Sequence, residues 1–227
     1  MNRALKRIMI DVKEILDDPL DQIHYSHDEQ NAMKGYTMLV GPSKTPYEHG
    51  YYFFEIDFPT NYPFSPPVVK FINYDGMTRF NPNLYINGKV CLSILNTWDG
   101  EKWSACQSIR TLLLTLITLL NEEPLLNEPG ITREHPNFEA YHQLIEYKNI
   151  EISIIKYLQK PNLPYPFHVF YPIMKKLFLE NGAYLIDKFH QRPTLFLHIT
   201  LFNNQYVILN YRNLSELLQL TLNDLAS

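Results

Sequence analysis

The chain has 227 residues, 45% hydrophobic and 14% aromatic, enough to bury one substantial core, or one core plus a helical extension. A net charge of −4 excludes a concentrated basic footprint, so neither nucleic acid nor an anionic membrane is expected as main partner, and any basic patch is local. Two cysteines make no disulfide framework, no signal-peptide layout opens the sequence, and the longest apolar run, 109–120, is broken by Arg110 and three threonines, so an intracellular protein without a membrane span is expected, cytoplasmic or nuclear or both.

Residues 2–17 place Leu5, Ile8, Val12, Ile15 and Leu16 at spacings of three and four, with Arg3, Lys6, Arg7 and Lys13 mainly on another face. That pattern predicts an amphipathic helix, whose basic face alone reads as solvated surface. From about Gln22 to Ile72 the period changes to two: Tyr36, Met38 and Val40 alternate, then Tyr52, Phe54, Ile56 and Phe58. Short punctuation at Gly41-Pro42 and His49-Gly50 implies an antiparallel meander of about four strands. Pro59, Pro63, Pro66 and Pro67 then force a rigid loop, and Phe64 at its tip suits protein docking.

Ile109 to Leu120 is apolar nearly all round, so it is expected as the central buried helix, N-capped by Ser104 or Ser108. A helical stretch follows from about Asn137 to Leu158. Residues 159–227 form an extension punctuated by Pro161, Pro164, Pro166 and Pro172. Its stripes Phe170, Ile173, Met174, Leu177, Phe178 and Leu214, Leu217, Leu218, Leu222 predict two core-packing helices, and alternation around Asn203-Asn204 implies a hairpin between them. The fold class is α+β: a first domain over 1–158 and a mainly helical C-terminal extension over 159–227.

The chemistry centres on Asn81 to Trp103. Asn87-Gly88 is a turn signal that tolerates positive φ. The corner delivers Cys91 near the surface while Leu92, Ile94 and Leu95 drop into the core. A lone intracellular cysteine usually packs as a small hydrophobe, and Cys106 reads so, as packing at a helix start. Around Cys91, however, FNPN, NGKVCLSIL, TW.G..W, QSI and NEPG follow in order. Together with YPFSPPVVKF upstream, these motifs resemble the ubiquitin-conjugating enzyme family over about the first two thirds of the chain. They are most similar to the larger members, with extra residues after the cysteine and helical C-terminal extensions.

That resemblance implies a thioester acceptor at Cys91 for ubiquitin or a ubiquitin-like modifier, supplied by an activating enzyme and passed to a substrate lysine, usually with a ligase. ATP would be spent by the activating enzyme, leaving no cofactor and no metal here. The resemblance also makes Arg3, Lys6 and Arg7 candidate docking charges for activating enzyme and ligase, with Pro63, Phe64, Ser104 and Ala105 as ligase contacts; Ala105 stands where the family has proline. Asn83, eight positions before Cys91, matches the family asparagine, a suitable oxyanion donor. Asn81 replaces the family histidine, which puts local loop order in question. The family's acidic gate residue falls on Asn127 when counted from Trp103 and on Glu128 when aligned on the proline, with Glu128 the preferred choice.

None of the eight histidines lies in the cysteine's own loop. A hydrolase needs a base to form thiolate, whereas exchange between similar thioesters is near isoenergetic and proceeds without one. Two rivals stay open: a non-catalytic relative that binds ubiquitin or a ligase, and a cysteine hydrolase that recruits a distant histidine.

Overall fold

The computed structural model describes residues 3–226, and Asn2, the first residue of the predicted N-terminal helix, lies outside them. Helix α1 spans Arg3–Asp17 and buries Ala4, Ile8, Asp11 and Ile15. Leu16, placed on the apolar stripe by its spacing, is 63% exposed, because the buried face follows the 4-8-11-15 line and turns it to solvent.

Four strands follow, β1 (Ile23–His27), β2 (Lys34–Val40), β3 (Tyr51–Asp57) and β4 (Val68–Phe71), in the antiparallel order β1-β2-β3-β4. The register pairs Met38 with Phe53 and Thr37 with Phe54. Successive strand residues point to opposite faces, so Tyr52, Phe54 and Ile56 share one face while Tyr36, Met38, Val40, Tyr51 and Phe53 share the other. Both sets are buried, where simple alternation predicts one buried face.

The first face meets the core beneath helix α2 (Ile109–Thr118) and the loops preceding it. Tyr52 and Phe71 each lie against Phe80, at centroid separations of 6.0 and 6.1 Å. Ser108 caps α2 by accepting from Thr111 N. Leu114 is 43% exposed, so the helix is less enclosed than its composition suggests.

The second face is covered by the latter part of the chain. Helix α3 (Phe138–Lys148) runs on through a wider π-helical stretch, Asn149–Lys156. From this stretch Asn149 also reaches the first face, accepting from Tyr52 Oη (2.6 Å) and donating to the Glu48 carbonyl (2.9 Å), while Ser153 Oγ accepts from Asn73 Nδ2 (3.0 Å). Phe167 packs against Phe53 (5.2 Å) and Tyr36 (5.5 Å), and Tyr51 Oη donates to the Met174 carbonyl at 2.9 Å. Burying such an aromatic contributes about 2–3 kcal/mol, so leaving this face open would be costly.

Helix α4 (Tyr171–Phe189), the hairpin of β5 (Leu195–Ile199) and β6 (Gln205–Leu209), and helix α5 (Tyr211–Ala226) complete the extension. The predicted hairpin and both predicted helices are present. One contiguous hydrophobic cluster joins α1 to α5, from Ala4 to Leu218. No helix among the described residues is long and apolar enough to cross a membrane.

Candidate active site

Asn87-Gly88 forms the expected corner, with Gly88 at φ +86°. A Cβ added there would lie 2.8 Å from the Phe71 carbonyl, so only glycine fits. That carbonyl belongs to β4, whose end the loop clips: Phe71 N donates to Gly88 O at 2.8 Å. The loop is thereby fixed to the sheet edge rather than left to its own turns.

Asn83 clasps the cysteine from two sides. Its carbonyl accepts from Cys91 N at 2.9 Å, and its side-chain Nδ2 donates to Cys91 O at 2.8 Å. An amide nitrogen carries two N–H groups, so one remains beyond the bond to Cys91, while Asn83 Oδ1 is buried without a partner.

Asn81, wholly buried, organises this clasp. Its Oδ1 accepts from Asn83 N at 2.9 Å, and its Nδ2 donates to the Leu119 carbonyl (2.7 Å) and Tyr47 Oη (3.1 Å). The loop disorder that replacing the family histidine suggested is absent: the amide bridges three separate segments.

Cys91 is not near the surface as expected; it is 1% exposed. Leu92 begins a single helical turn, Ser93–Leu95, and Thr97 Oγ1 accepts from Leu92 N (2.9 Å) while donating to Val90 O (2.8 Å). These bonds tighten the turn that directly follows the cysteine. Cys106, expected in packing, is the exposed one. No hydrogen bond joins a histidine to residues 81–97 among the described residues.

The two gate candidates differ in their commitments. Asn127 Oδ1 accepts from Asn121 Nδ2 (3.0 Å), and its Nδ2 donates to Asn81 Oδ1 (3.4 Å), so its amide belongs to the loop scaffold. Glu128 Oε2 is buried with no partner. The carboxylate also helps raise the Tyr141 hydroxyl far above the usual tyrosine range, a shift due first to burial.

The candidate docking residues divide as well. Arg3 and Lys6 are exposed, Arg3 stacking over the Phe64 ring at 4.9 Å, and Phe64 is 57% exposed. Pro63 is buried behind it, its carbonyl accepting from Trp103 Nε1 at 2.7 Å across a loop whose Tyr62–Pro63 peptide is cis. Arg7 is no free charge. It donates to Asp11 Oδ1 (2.7 Å) and to the carbonyls of Ala105 (2.9 Å) and Gln107 (2.5 Å), tying the Ser104–Ala105 loop to α1. Ser104 stays exposed and Ala105 half-buried.

Asp11 escaped the sequence reading. It is 2% exposed and accepts from Arg7, Tyr62 Oη and Ile109 N, joining α1, the proline loop and the start of α2. A lone acid at an i+3 position inside the helix's apolar stripe was the available signal. No group of three or more His, Cys, Asp or Glu is placed to hold a metal ion among the described residues.

A cysteine clasped by an asparagine thus sits in the loop region between a four-stranded meander and the helix α2. The chain belongs to the ubiquitin-conjugating enzyme family, whose model, described as "Ubiquitin-conjugating enzyme", matches residues 7–146. It is similar to "Ubiquitin-conjugating enzyme E2 Z" of Danio rerio, 37% identical over 182 residues, covering 78% of this chain and 55% of the relative. The Homo sapiens protein of that name is 38% identical over 182 residues, covering 78% of this chain and 51% of its own length. The chain thus spans just over half the length of these curated relatives. Among solved structures it resembles human ubiquitin-conjugating enzyme E2 G1, with a TM-score of 0.47 and 27% identity, over 53% of this chain and 96% of that one.

Proposed function

We propose that the chain accepts ubiquitin, or a related modifier, on Cys91 and passes it to a lysine of a protein substrate. The observation that carries this reading is the Asn83 clasp, with Nδ2 at 2.8 Å from Cys91 O and a second N–H unspent beside the cysteine.

In the first step the Cys91 thiolate attacks the thioester carbonyl that an activating enzyme presents. A new C–S bond forms, the old one breaks, and the activating enzyme's thiolate leaves; ATP has been spent upstream. In the second step a neutral lysine amine attacks the same carbonyl carbon, the C–N bond forms, and Cys91 departs as the leaving group. The lysine has an unperturbed pKa of about 10.4, so a proton must be taken away. Glu128, whose Oε2 has no partner, is the better acceptor of the two gate candidates, since the Asn127 amide is already bonded into the scaffold. Asn83 offers its second N–H to the developing oxyanion, a contribution of about 10²–10³ in rate. Arg3, Lys6 and Phe64 form the exposed surface on which activating enzyme and ligase would dock, while Pro63 and Arg7 hold it from behind.

Cys91 is 1% exposed, so charging requires the residues around its thiol to move aside. The absence of hydrogen bonds from histidine to this loop weighs against the hydrolase reading.

The test is a non-reducing gel of the full chain incubated with activating enzyme, ATP and ubiquitin. A thiol-sensitive band heavier by one ubiquitin, absent in Cys91→Ala, is expected. No band across a panel of activating enzymes and modifiers would leave a non-catalytic binding module.

A further inference from the structure

The hairpin of the C-terminal extension reaches the cysteine's loop through a stack of alternating rings and cations. The Arg79 guanidinium lies 4.1 Å from the Phe202 ring centroid on one side and 3.8 Å from that of Tyr85 on the other. Lys89 Nζ stands 5.5 Å from the Tyr85 ring. The same guanidinium donates to the Pro82 carbonyl, between Asn81 and Asn83, and its Nε is buried without a partner. Among the described residues that carbonyl is its sole hydrogen-bond acceptor, so the two rings help fix where the group sits.

Phe202 is held in turn at some cost. It has φ +66°, a left-handed conformation that a bulky side chain rarely adopts. Surrounding bonds impose it. Asn137 Oδ1 accepts from Thr200 N (3.1 Å), Thr200 Oγ1 (2.8 Å) and Leu201 N (2.9 Å), and Asn203 Nδ2 donates to Met77 O at 2.8 Å. Tyr141 completes the seat, its ring 5.8 Å from Phe202 and its hydroxyl donating to Arg79 O at 2.7 Å. A hairpin needing only a turn at this point would place glycine or asparagine there.

We infer that Phe202 is a positioning residue for transfer from Cys91: it clamps Arg79 against Pro82 and so sets the angle from which Asn83 addresses the thioester carbonyl. The inference rests on the thioester reading above. The extension is then part of the transfer machinery, acting through one side chain on a loop it does not itself enter. An electrostatic contact of this kind needs the π-face, since a desolvated cation over a ring gains from its quadrupole and an aliphatic side chain supplies none. Catalytic groups tolerate little misplacement, so a loosened guanidinium should cost rate more than binding.

The experiment charges the full chain with ubiquitin, stops the activating enzyme by removing ATP, and follows loss of the thioester at increasing free lysine, normalised to the thioester present. Phe202→Leu keeps an apolar side chain and the same backbone strain; Phe202→Tyr keeps the ring. The maximum discharge rate of Phe202→Leu is expected to fall about threefold to tenfold with the half-saturating lysine concentration unchanged, Phe202→Tyr to restore it, and Arg79→Lys to add little on top of Phe202→Leu. A folded Phe202→Leu, judged by an unshifted melting transition, that discharges at the original maximum rate would overturn the inference. So would a rise in half-saturating lysine alone. If the unaltered chain never acquires a thioester, the broader reading fails first, a result plainly different from normal charging with insensitive discharge.

Discussion

Replacing Asn81 by alanine removes a wholly buried amide that makes bonds to Asn83 N, the Leu119 carbonyl, Tyr47 Oη and Asn127 Nδ2. Tyr47 Oη retains its bond to the Phe80 carbonyl at 2.7 Å, and Asn127 retains Asn121, so neither is fully stranded. The Leu119 carbonyl keeps a long bond from Asn127 Nδ2 at 3.5 Å, so Asn83 N is the group left without another partner among the described residues. A buried group left unpaired costs about 1–3 kcal/mol, so Asn81→Ala is expected to lose about that much. Domains of this kind have about 5–15 kcal/mol in hand, so the variant folds with a clearly lower urea midpoint. Asn81→Asp sharpens the test. Its carboxylate would face the Leu119 carbonyl, and burial raises its pKa above the ordinary range, so the variant is weakest at neutral pH. It recovers on acidification, when the neutral carboxyl can donate one O–H to that carbonyl. Urea titrations at several pH values measure both effects. A loss below about 1 kcal/mol for Asn81→Ala, or an Asn81→Asp variant no worse than alanine at neutral pH, would refute this account of the loop.

Alkylation of the native chain should label exposed Cys106 first, with buried Cys91 about tenfold or more slower, read by mass spectrometry of the peptides; equal rates would show that the Cys91 thiol is open to solvent. Asp11→Ala strands Tyr62 Oη and Ile109 N and should cost about 2–4 kcal/mol in chemical denaturation. Burial alone would push the Glu48 carboxyl up, but Lys188, the Lys44 amide and the Tyr184 hydroxyl hold it below the ordinary range. Its contribution is therefore present above the unfolded carboxylate pKa and disappears as pH falls through the lower folded value. Glu48→Gln should flatten that part of the acid side of the stability profile; an unchanged slope there would argue against the tie.

Much of the molecule was legible because local signals agreed with the global fold. The 3.6-residue stripe of α1, the alternation of β2 and β3, the Asn87-Gly88 corner and the hairpin about Asn203-Asn204 all form as their patterns require. The candidate site was legible as far as the pairing of Cys91 with Asn83, which lie eight positions apart and are hydrogen-bonded. Three things were not. Alternation identifies one buried face of a strand, so the burial of Tyr51 and Phe53 depends on Phe167 and Met174, which no local pattern links to them. The burial of Cys91 comes from tertiary packing that no local pattern records, and the bonds of Thr97 that tighten the next turn come from a residue type equally at home in solvent. The Arg79–Phe202 contact joins segments far apart in sequence, and neither residue is unusual in its own neighbourhood.

The second buried sheet face has a consequence for synthesis. During translation the meander leaves the ribosome with Tyr36, Tyr51 and Phe53 laid out on one side, and their cover at Phe167 and Met174 emerges later. In that interval the nascent chain carries an uncapped aromatic sheet, the kind of surface that recruits chaperones and seeds aggregation. A fragment ending at residue 158 would keep Tyr157 against Phe53 (5.2 Å) but lose Phe167 and Met174, so the boundary suggested by family resemblance is a poor place to cut the gene.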